Sequence, residues 1–443
     1  MMPKVASSPH AQPVCRFEDA LDVIYTLRSN SHVAYFAGGC VRDRVMGLPS
    51  KDWDVATDAE PSRVRHLFKN TQAVGQAFGV ILVRHNQSTI EVATFRSDGA
   101  YDDGRRPNSV KFVNAEQDAQ RRDFTINGLF WDPIEDRIID YVDGVRDINS
   151  KILRAIGSAD VRFSEDYLRM LRAVRFAARL DLTIHPDTRR AIEANRHSLV
   201  GISPERIADE LRTMLCAITR DQSRRLLNEL RLMPILMRFL DAGASEANSR
   251  DGAIFDGLAP RRAIGFGLVL AALIVDWRAA RSNADPALFL TENAARLAVS
   301  AMRKSLRISN EESDELAGVT ESAHLLNDAF PRVAVLKRFL ARPFSNEARL
   351  LLNRISQAGW HQERIVRLEA AFESFDPNTV APIPLLNGDD LVSLGYSPGK
   401  AFKIVLDFIY DEQLEDRVST KEQAIDLARS EYPKVESAQT RPA

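Results

Sequence analysis

Gly38-Gly39-Cys40-Val41-Arg42-Asp43, closed by Gly47 and followed by Asp52-Trp53-Asp54, is the stretch on which the reading of this chain turns. The two glycines come directly after a strand-like run, His32–Ala37, and before a helical one. Bare backbone amides at such a turn approach a phosphate closely, and the N-terminus of the following helix adds positive potential. Arg42, one turn inside, is placed to reach the same anion. Strand alternation in Asp52-Trp53-Asp54 puts both carboxylates on one face and sends Trp53 to the other. Two carboxylates on one rigid face beside a polyphosphate are the hard-oxygen donors that Mg²⁺ prefers. A lone Gly-Gly is usually only a turn and a lone Asp-x-Asp only solvated surface. At this spacing each strengthens the other.

Outward from that stretch the texture is mixed. Between Phe17 and Gly157, short runs rich in Val, Ile and Phe alternate with Gly, Asp and Asn clusters, the pattern of strands interleaved with helices. Thr89–Phe95 alternates, so Glu91, Ala93 and Phe95 share a face. Glu91 is then either a third carboxylate beside the aspartate pair or an ordinary surface strand residue. From Ser164 onward the chain is rich in Leu, Ala and Arg at helical spacing.

Residues 161–240 hold fifteen Arg, no Lys and ten Asp or Glu, a local excess that the whole-chain balance of 59 Lys+Arg against 61 Asp+Glu conceals. The spacing predicts one long helix starting at Ser164, with Ser164 as N-cap and Glu165 and Asp166 in its first turn. A second is expected from Ser203, with Pro204 at its first position. On the first, Glu165, Asp166, Arg169, Arg172, Arg175 and Arg179 share one broad face, with Leu168, Leu171, Val174 and Ala178 packing the other. Pairing along a solvated helix is the plain explanation of such a face. Acids followed by four arginines make a longer basic stripe than local pairing requires. An Asp and an Arg one turn apart also offer an acceptor and a forked donor to the edge of a base.

The 443 residues correspond to about three domains at roughly 150 residues each. A net charge of −2 and 45% hydrophobic residues describe an ordinary globular chain and exclude a globally basic nucleic-acid binder. Cys15, Cys40 and Cys216 are odd in number and widely spaced, which excludes a disulfide framework or a CxxC metal site. The longest apolar run, Ala263 to Val275, falls short of the ~20 residues of a membrane span. MMPKVASSPHAQP at the start lacks an apolar signal core, so the expected setting is cytoplasmic and reducing.

Residues 38–57, GGCVRDRVMGLPSKDWDVAT, resemble the signature of the class II nucleotidyltransferases, the CCA-adding tRNA nucleotidyltransferases and bacterial poly(A) polymerases. Three more stretches agree in order. Arg121–Asn127 (RRDFTIN) is similar to the family's second motif, Arg162–Phe176 to its nucleotide-template helix, and Pro204-Glu-Arg206 through Glu210-Leu211 to its neck motif. The match covers about residues 30–215 and is only compositional beyond 230.

The resemblance implies an α+β chain. A small mixed-sheet, polymerase-beta-like nucleotidyltransferase head (17–160) would follow a flexible extension (1–16). An all-helical neck (161–230), body (231–376) and tRNA-binding tail (377–443) would complete it. It implies template-independent addition of CCA to the 3′ end of tRNA from CTP and ATP by two-metal nucleotidyl transfer with release of pyrophosphate: Asp52 and Asp54 would be catalytic and hold two Mg²⁺ ions, and Gly39, Arg42 and Arg122 would hold the nucleotide. Asp166 and Arg169 would be a protein template for CTP and ATP, with Arg172 and Arg175 nearby. The implied partners are the 3′ end and acceptor arm of tRNA.

The charged, Gly-containing stretch Arg96–Pro107 resembles the loop that CC-only enzymes lack, and Val74–Gly79 resembles the CCA-adding version of its strand. An A-adding tRNA nucleotidyltransferase or a poly(A) polymerase is the alternative within the family, and a non-catalytic RNA-binding relic the alternative outside it. One departure is plain: where some relatives carry a metal-dependent HD phosphohydrolase domain, Val275 stands in place of the needed His, so no phosphohydrolase activity is expected.

Overall fold

The computed structural model describes residues 15–50, 52–75, 79–99, 109–240, 254–282 and 284–432. The N-terminal extension to residue 14, most of the loop within Arg96–Pro107, part of Val74–Gly79 and the last residues lie outside that set. The chain divides into two compact units, one of residues 1–215 with 222–237, the other of 216–221 with 238–443.

The first unit is built on a seven-stranded mixed sheet. Its first five strands are β1 (Ala34–Ala37), β2 (Val55–Thr57), β3 (Thr71–Gly75), β4 (Val80–His85) and β5 (Ser88–Thr94). A separate two-stranded ribbon, β6 (Arg96–Asp98) with β7 (Val110–Phe112), precedes the last two sheet strands, β8 (Leu129–Asp132) and β9 (Arg137–Asp140). The order across the sheet is β3-β4-β5-β2-β1-β8-β9, with β2 parallel to β5 and the other neighbours antiparallel.

One face is covered by α1 (Phe17–Ser29), whose Ala20, Val23, Ile24 and Leu27 are fully buried. These apolar positions recur at helical spacing, which makes a stripe wide enough to cover β1, β2, β4 and β5. The opposite face is left open at its centre, where β1 runs into Gly38 and α2 (Gly39–Val45). Short helices α3 (Pro61–Leu67), α4 (Ala115–Gln120) and α5 (Gly144–Asn149) fill the connections.

Helices follow, as the Leu/Ala/Arg texture predicts: α6 (Ala159–Glu165), α7 (Leu168–Leu180), α8 (Pro186–Asn195), α9 (Pro204–Leu215), α10 (Arg220–Glu229) and α11 (Met233–Leu240). The single helix expected from Ser164 is in fact two. Ser158 is the N-cap, accepting the Val161 N–H, and Ser164 sits in the last turn of α6, donating back to the Val161 carbonyl. The break is Asp166, extended at φ −153° and ψ 102°, whose Oδ1 accepts the Leu168 N–H. An Asp bonded locally to the backbone competes with helix continuation, and here it wins. Pro204 opens α9 as the sequence predicts.

The second unit is helical: α12 (Phe266–Ser282), α13 (Glu292–Ser305), α14 (Asn310–Thr320), α15 (Val333–Leu340), α16 (Ser345–Gln357), α17 (Gln362–Ser374), α18 (Pro377–Val380), α19 (Gly388–Ser393), α20 (Lys400–Leu414) and α21 (Lys421–Glu431). The mixed-sheet head with a helical remainder is thus the architecture expected from the sequence. Val275 lies fully buried in α12, and Asp276 beside it accepts the Ile254 N–H. No helix among the described residues is long and apolar enough to cross a membrane.

Candidate active site

The open face of the head sheet is the floor of a cavity of about 660 Å³. Its register decides which side chains reach it. Val55 pairs with Val92 and Ala56 with Ala93, so Asp54 and Glu91 meet one rung earlier on the face that carries Ala56 and Ala93. Asp52, Asp54 and Glu91 all line the cavity. Residues 52–54 are extended but belong to no strand; the Ala37 N–H donating to the Asp54 carbonyl at 3.0 Å carries them into β2. The alternation predicted from the sequence nevertheless holds. Trp53 turns to the covered face, against Phe17, Phe36 and Trp131.

Charge is unbalanced at these acids. Among the described residues, neither the Asp52 nor the Asp54 carboxylate accepts a hydrogen bond or pairs with a cation. Asp54 touches the solvent of the cavity, yet the walls around it, together with Glu91 and Asp52, push its pKa up to about 7 against the pull of Arg122. Burial likewise raises Glu91, with Arg96 and Arg122 opposing. A cluster of acids short of positive charge fits a divalent cation with hard-oxygen preference. The described residues do not by themselves close three His, Cys, Asp or Glu donors into a finished ligand set. Phosphate oxygens and water would complete it.

The glycine turn borders the same cavity. Gly38 has φ +70°, and a Cβ there would come within 2.9 Å of Arg122 Nη1. Gly39 begins α2 and lines the cavity. Arg42 also lines it, but as a buried anchor rather than a free arm. It donates to Asp43 Oδ1 and, at 2.7 Å, to Asn127 Oδ1, and stacks 5.3 Å from the Phe176 ring. Asn127 of the second motif and Phe176 of α7 close it in.

Arg122 is held from behind by Asp118 at 3.0 Å and donates to the Asn127 carbonyl, facing the cavity beside Gly38. Arg121 also lines the cavity, with its guanidinium bonded to Asp118 and the Arg96 carbonyl.

The opposite wall comes from α7 and the break before it. Asp166, Leu168, Arg169, Arg172, Phe176 and Arg179 line the cavity. Asp166 Oδ2 accepts from Arg206 of α9 at 2.6 Å. Arg169 Nη1 donates to Glu165 and the Arg162 carbonyl, so its Nη2–Nε edge is the one that can meet a base. Arg172 donates to Asp123 at 2.6 Å. Arg175 departs from the expected grouping: it does not line the cavity but turns to Glu210 of α9 at 2.7 Å, packing over the Phe176 ring at 4.4 Å. The predicted apolar face, Leu168, Leu171, Val174 and Ala178, is buried.

Several contributors were not singled out from sequence. Asp123 is the hub. Full burial works against its charge, yet Arg172, Asn127 and Arg169 hold its pKa down to about 2. Asn127 passes that anchoring to Arg42, and Arg206 supports Asp166. The signal for the first two was present in RRDFTIN, as an acid and an amide four residues apart around Phe124 and Ile126.

Residues 34–154 match the poly A polymerase head domain, and residues 181–243 the probable RNA and SrmB-binding site of polymerase A. The chain is 45% identical over 196 residues to the CCA-adding enzyme of Oceanobacillus iheyensis, covering 44% of this chain and 49% of that protein. It is 42% identical over 228 residues to the CCA-adding enzyme of Geobacillus thermodenitrificans, covering 51% and 56%. Over these segments the chain is similar to the poly(A) polymerases and CCA-adding enzymes.

The matched segment spans about half the length of these relatives. The fold agreement runs further. The crystal structure of the Bacillus stearothermophilus CCA-adding enzyme in complex with CTP superposes with a TM-score of 0.67 at 28% identity, covering 94% of this chain and 97% of that one. The cavity lies in the segment matched to the head domain and is bordered by α7 and α9, which follow it.

Proposed function

We propose that this chain adds C, C and A to the 3′ end of tRNA from CTP and ATP. The O3′–Pα bond forms, the Pα–O bond to the β-phosphate breaks, and pyrophosphate leaves. The observation that carries this reading is Asp52 and Asp54 turned together into a cavity whose other wall is Asp166 and Arg169. The similarity to CCA-adding enzymes, one of them described with CTP, supports it.

Asp52 and Asp54 are the residues that would hold Mg²⁺. When bound there it supplies a lowered pKa for the terminal ribose hydroxyl and charge neutralisation for the pyrophosphate. Gly39 keeps the floor low enough for a triphosphate to lie against the backbone. Arg122 presents its guanidinium beside that floor, already oriented by Asp118, so little entropy is lost when it meets a phosphate or the sugar. Arg42 and Arg172 lend positive potential while fixed to Asn127 and Asp123. Arg175 acts one layer back, steadying Phe176.

Asp166 accepts from the exocyclic amine that cytosine and adenine share, and Arg169 donates to the neighbouring ring acceptor. Uracil and guanine present the reverse pattern at these atoms and are refused. The tRNA acceptor arm lies along the arginine-rich neck (161–230), body and tail, gripped through its phosphates, so binding weakens with salt. We infer a neck that ends at residue 230, a body that ends at 376, and a cytoplasmic setting.

The test supplies tRNA ending at the discriminator base with CTP alone. Two and only two CMP additions, followed by one AMP when ATP is added, are expected. No CMP incorporation, with AMP added freely, would assign an A-adding enzyme or a poly(A) polymerase instead.

A further inference from the structure

The aspartate pair flanks a tryptophan whose placement the proposed chemistry does not use. Residues 52–54 belong to no strand, and their backbone is held at Asp54 by the Ala37 N–H and at Asp52 by the Ser50 hydroxyl. Three acids repel one another across the cavity side of this segment, which favours turning the carboxylates apart. On the covered side, Trp53 makes edge contacts with Phe17 at 4.8 Å and Phe36 at 5.0 Å, and lies 6.1 Å from Trp131. Phe36 and Trp131 stack on each other at 5.4 Å and are themselves buried. Trp131 is fixed in turn by Arg44, 3.8 Å over its ring, and by its indole N–H donating to Asp136.

Phe17 comes from the first turn of α1, and its neighbours are tied down. The Arg16 N–H donates to the Ser88 hydroxyl, and Ser88 and Asn86 both donate to Asp19. The start of α1 is therefore bound to the beginning of β5, the strand that carries Glu91. Aromatic rings in edge contact resist rotation about the chain, because turning Trp53 would break two ring contacts at once.

We propose that Trp53, gripped by Phe17 and Phe36, is a positioning residue that keeps Asp52 and Asp54 convergent on one cation, making the start of α1 part of the cation site. This rests on the reading of those aspartates as cation ligands. Reversing the alternation by one residue would turn both acids into the aromatic layer; loosening it lets each acid swing independently.

The experiment titrates the full chain with Mn²⁺ alone, following free Mn²⁺ by electron paramagnetic resonance, for wild type, Trp53→Phe, Trp53→Ala, Phe17→Ala and Asp52→Asn. Near-wild-type affinity is expected for Trp53→Phe, about tenfold weaker binding for Trp53→Ala and about threefold for Phe17→Ala. CMP incorporation should show the same split, with half-saturating Mg²⁺ raised while kcat at saturating Mg²⁺ stays within about twofold. Phe17 is only half-buried, so its variant reports even if Trp53→Ala does not fold. Unchanged Mn²⁺ affinity in both alanine variants, with Asp52→Asn weakened, overturns the positioning role alone. Unchanged affinity in Asp52→Asn overturns the cation-ligand reading, and this inference with it.

Discussion

Arg206 donates to Asp166 Oδ2 at 2.6 Å while Oδ1 of the same carboxylate accepts the Leu168 N–H at 3.0 Å. Both oxygens are thereby fixed in direction, one by α9 and one by the backbone of α7. A carboxylate that must tell cytosine from uracil gains from such anchoring, since a rotated one could not hold a single hydrogen-bond pattern.

Arg206→Ala should therefore loosen base choice. A charge-assisted hydrogen bond of this kind contributes roughly 1.5–3 kcal/mol, which corresponds to a loss of about tenfold or more in the preference for CTP over UTP. Competing incorporation of the two nucleotides measures it directly. An unchanged preference would mean that the Leu168 N–H alone orients Asp166.

The acid cluster predicts a pH dependence with a definite sign. Asp54 titrates at about 7 in the folded chain, above the ~3.9 of an unfolded Asp. The folded state therefore binds more protons between those values, and stability falls as pH rises through that window. Asp54→Asn should melt higher than wild type at pH 8, with the gap closing near pH 4. Mg²⁺ should narrow the gap at pH 8 by binding folded wild type. Since a proton competes for the same oxygen, half-saturating Mg²⁺ should rise roughly tenfold per unit below pH 7. Calorimetry and a Mg²⁺ titration of CMP incorporation check the two halves separately.

Gly38→Ala tests the floor. Its backbone, at φ 70° and ψ −119°, is a conformation that a side chain strains, costing about 1–3 kcal/mol. The added methyl also displaces Arg122 Nη1, which it would meet at 2.9 Å. A KM for CTP raised about tenfold, with a lowered unfolding midpoint, is the expected result. Destabilisation with an unaltered KM would remove Arg122 from the nucleotide site.

In the second unit, Arg220 is completely buried and donates to the carbonyls of Cys216, Leu258, Ala259 and Arg262. Arg220→Met strips these acceptors of a partner that no water can replace. A loss on the order of 3 kcal/mol or more is expected by urea unfolding. A loss under about 1 kcal/mol would show that the segment around residue 258 repacks freely.

Much of the head was legible because local signals and tertiary demands coincide there. The glycine turn, the alternation at Asp52-Trp53-Asp54 and the strand around Glu91 each follow from backbone rules that act over a few residues. The helix before Arg169 was not legible, because Asp166 has a choice between continuing a helix and capping the next one. The Leu168 N–H that caps it is local, but Arg206, which holds the other oxygen, is forty residues away. Arg175 failed for the same kind of reason: helical spacing set its face, but Glu210 set where its guanidinium went. Asp123 shows the limit most clearly. Its string was read as a motif, yet its role as the buried partner of Arg172 depends on contacts 49 residues apart.

Whether Asp52 and Asp54 together carry nucleotidyl transfer is read from single-turnover incorporation of CMP into tRNA lacking CCA. Wild type and Asp52→Ala are compared at saturating Mg²⁺ and CTP, with folding verified by circular dichroism. A fall of at least about a thousandfold is expected, equivalent to ~4 kcal/mol of lost transition-state stabilisation. Incorporation by Asp52→Ala at the wild-type rate would contradict that joint role.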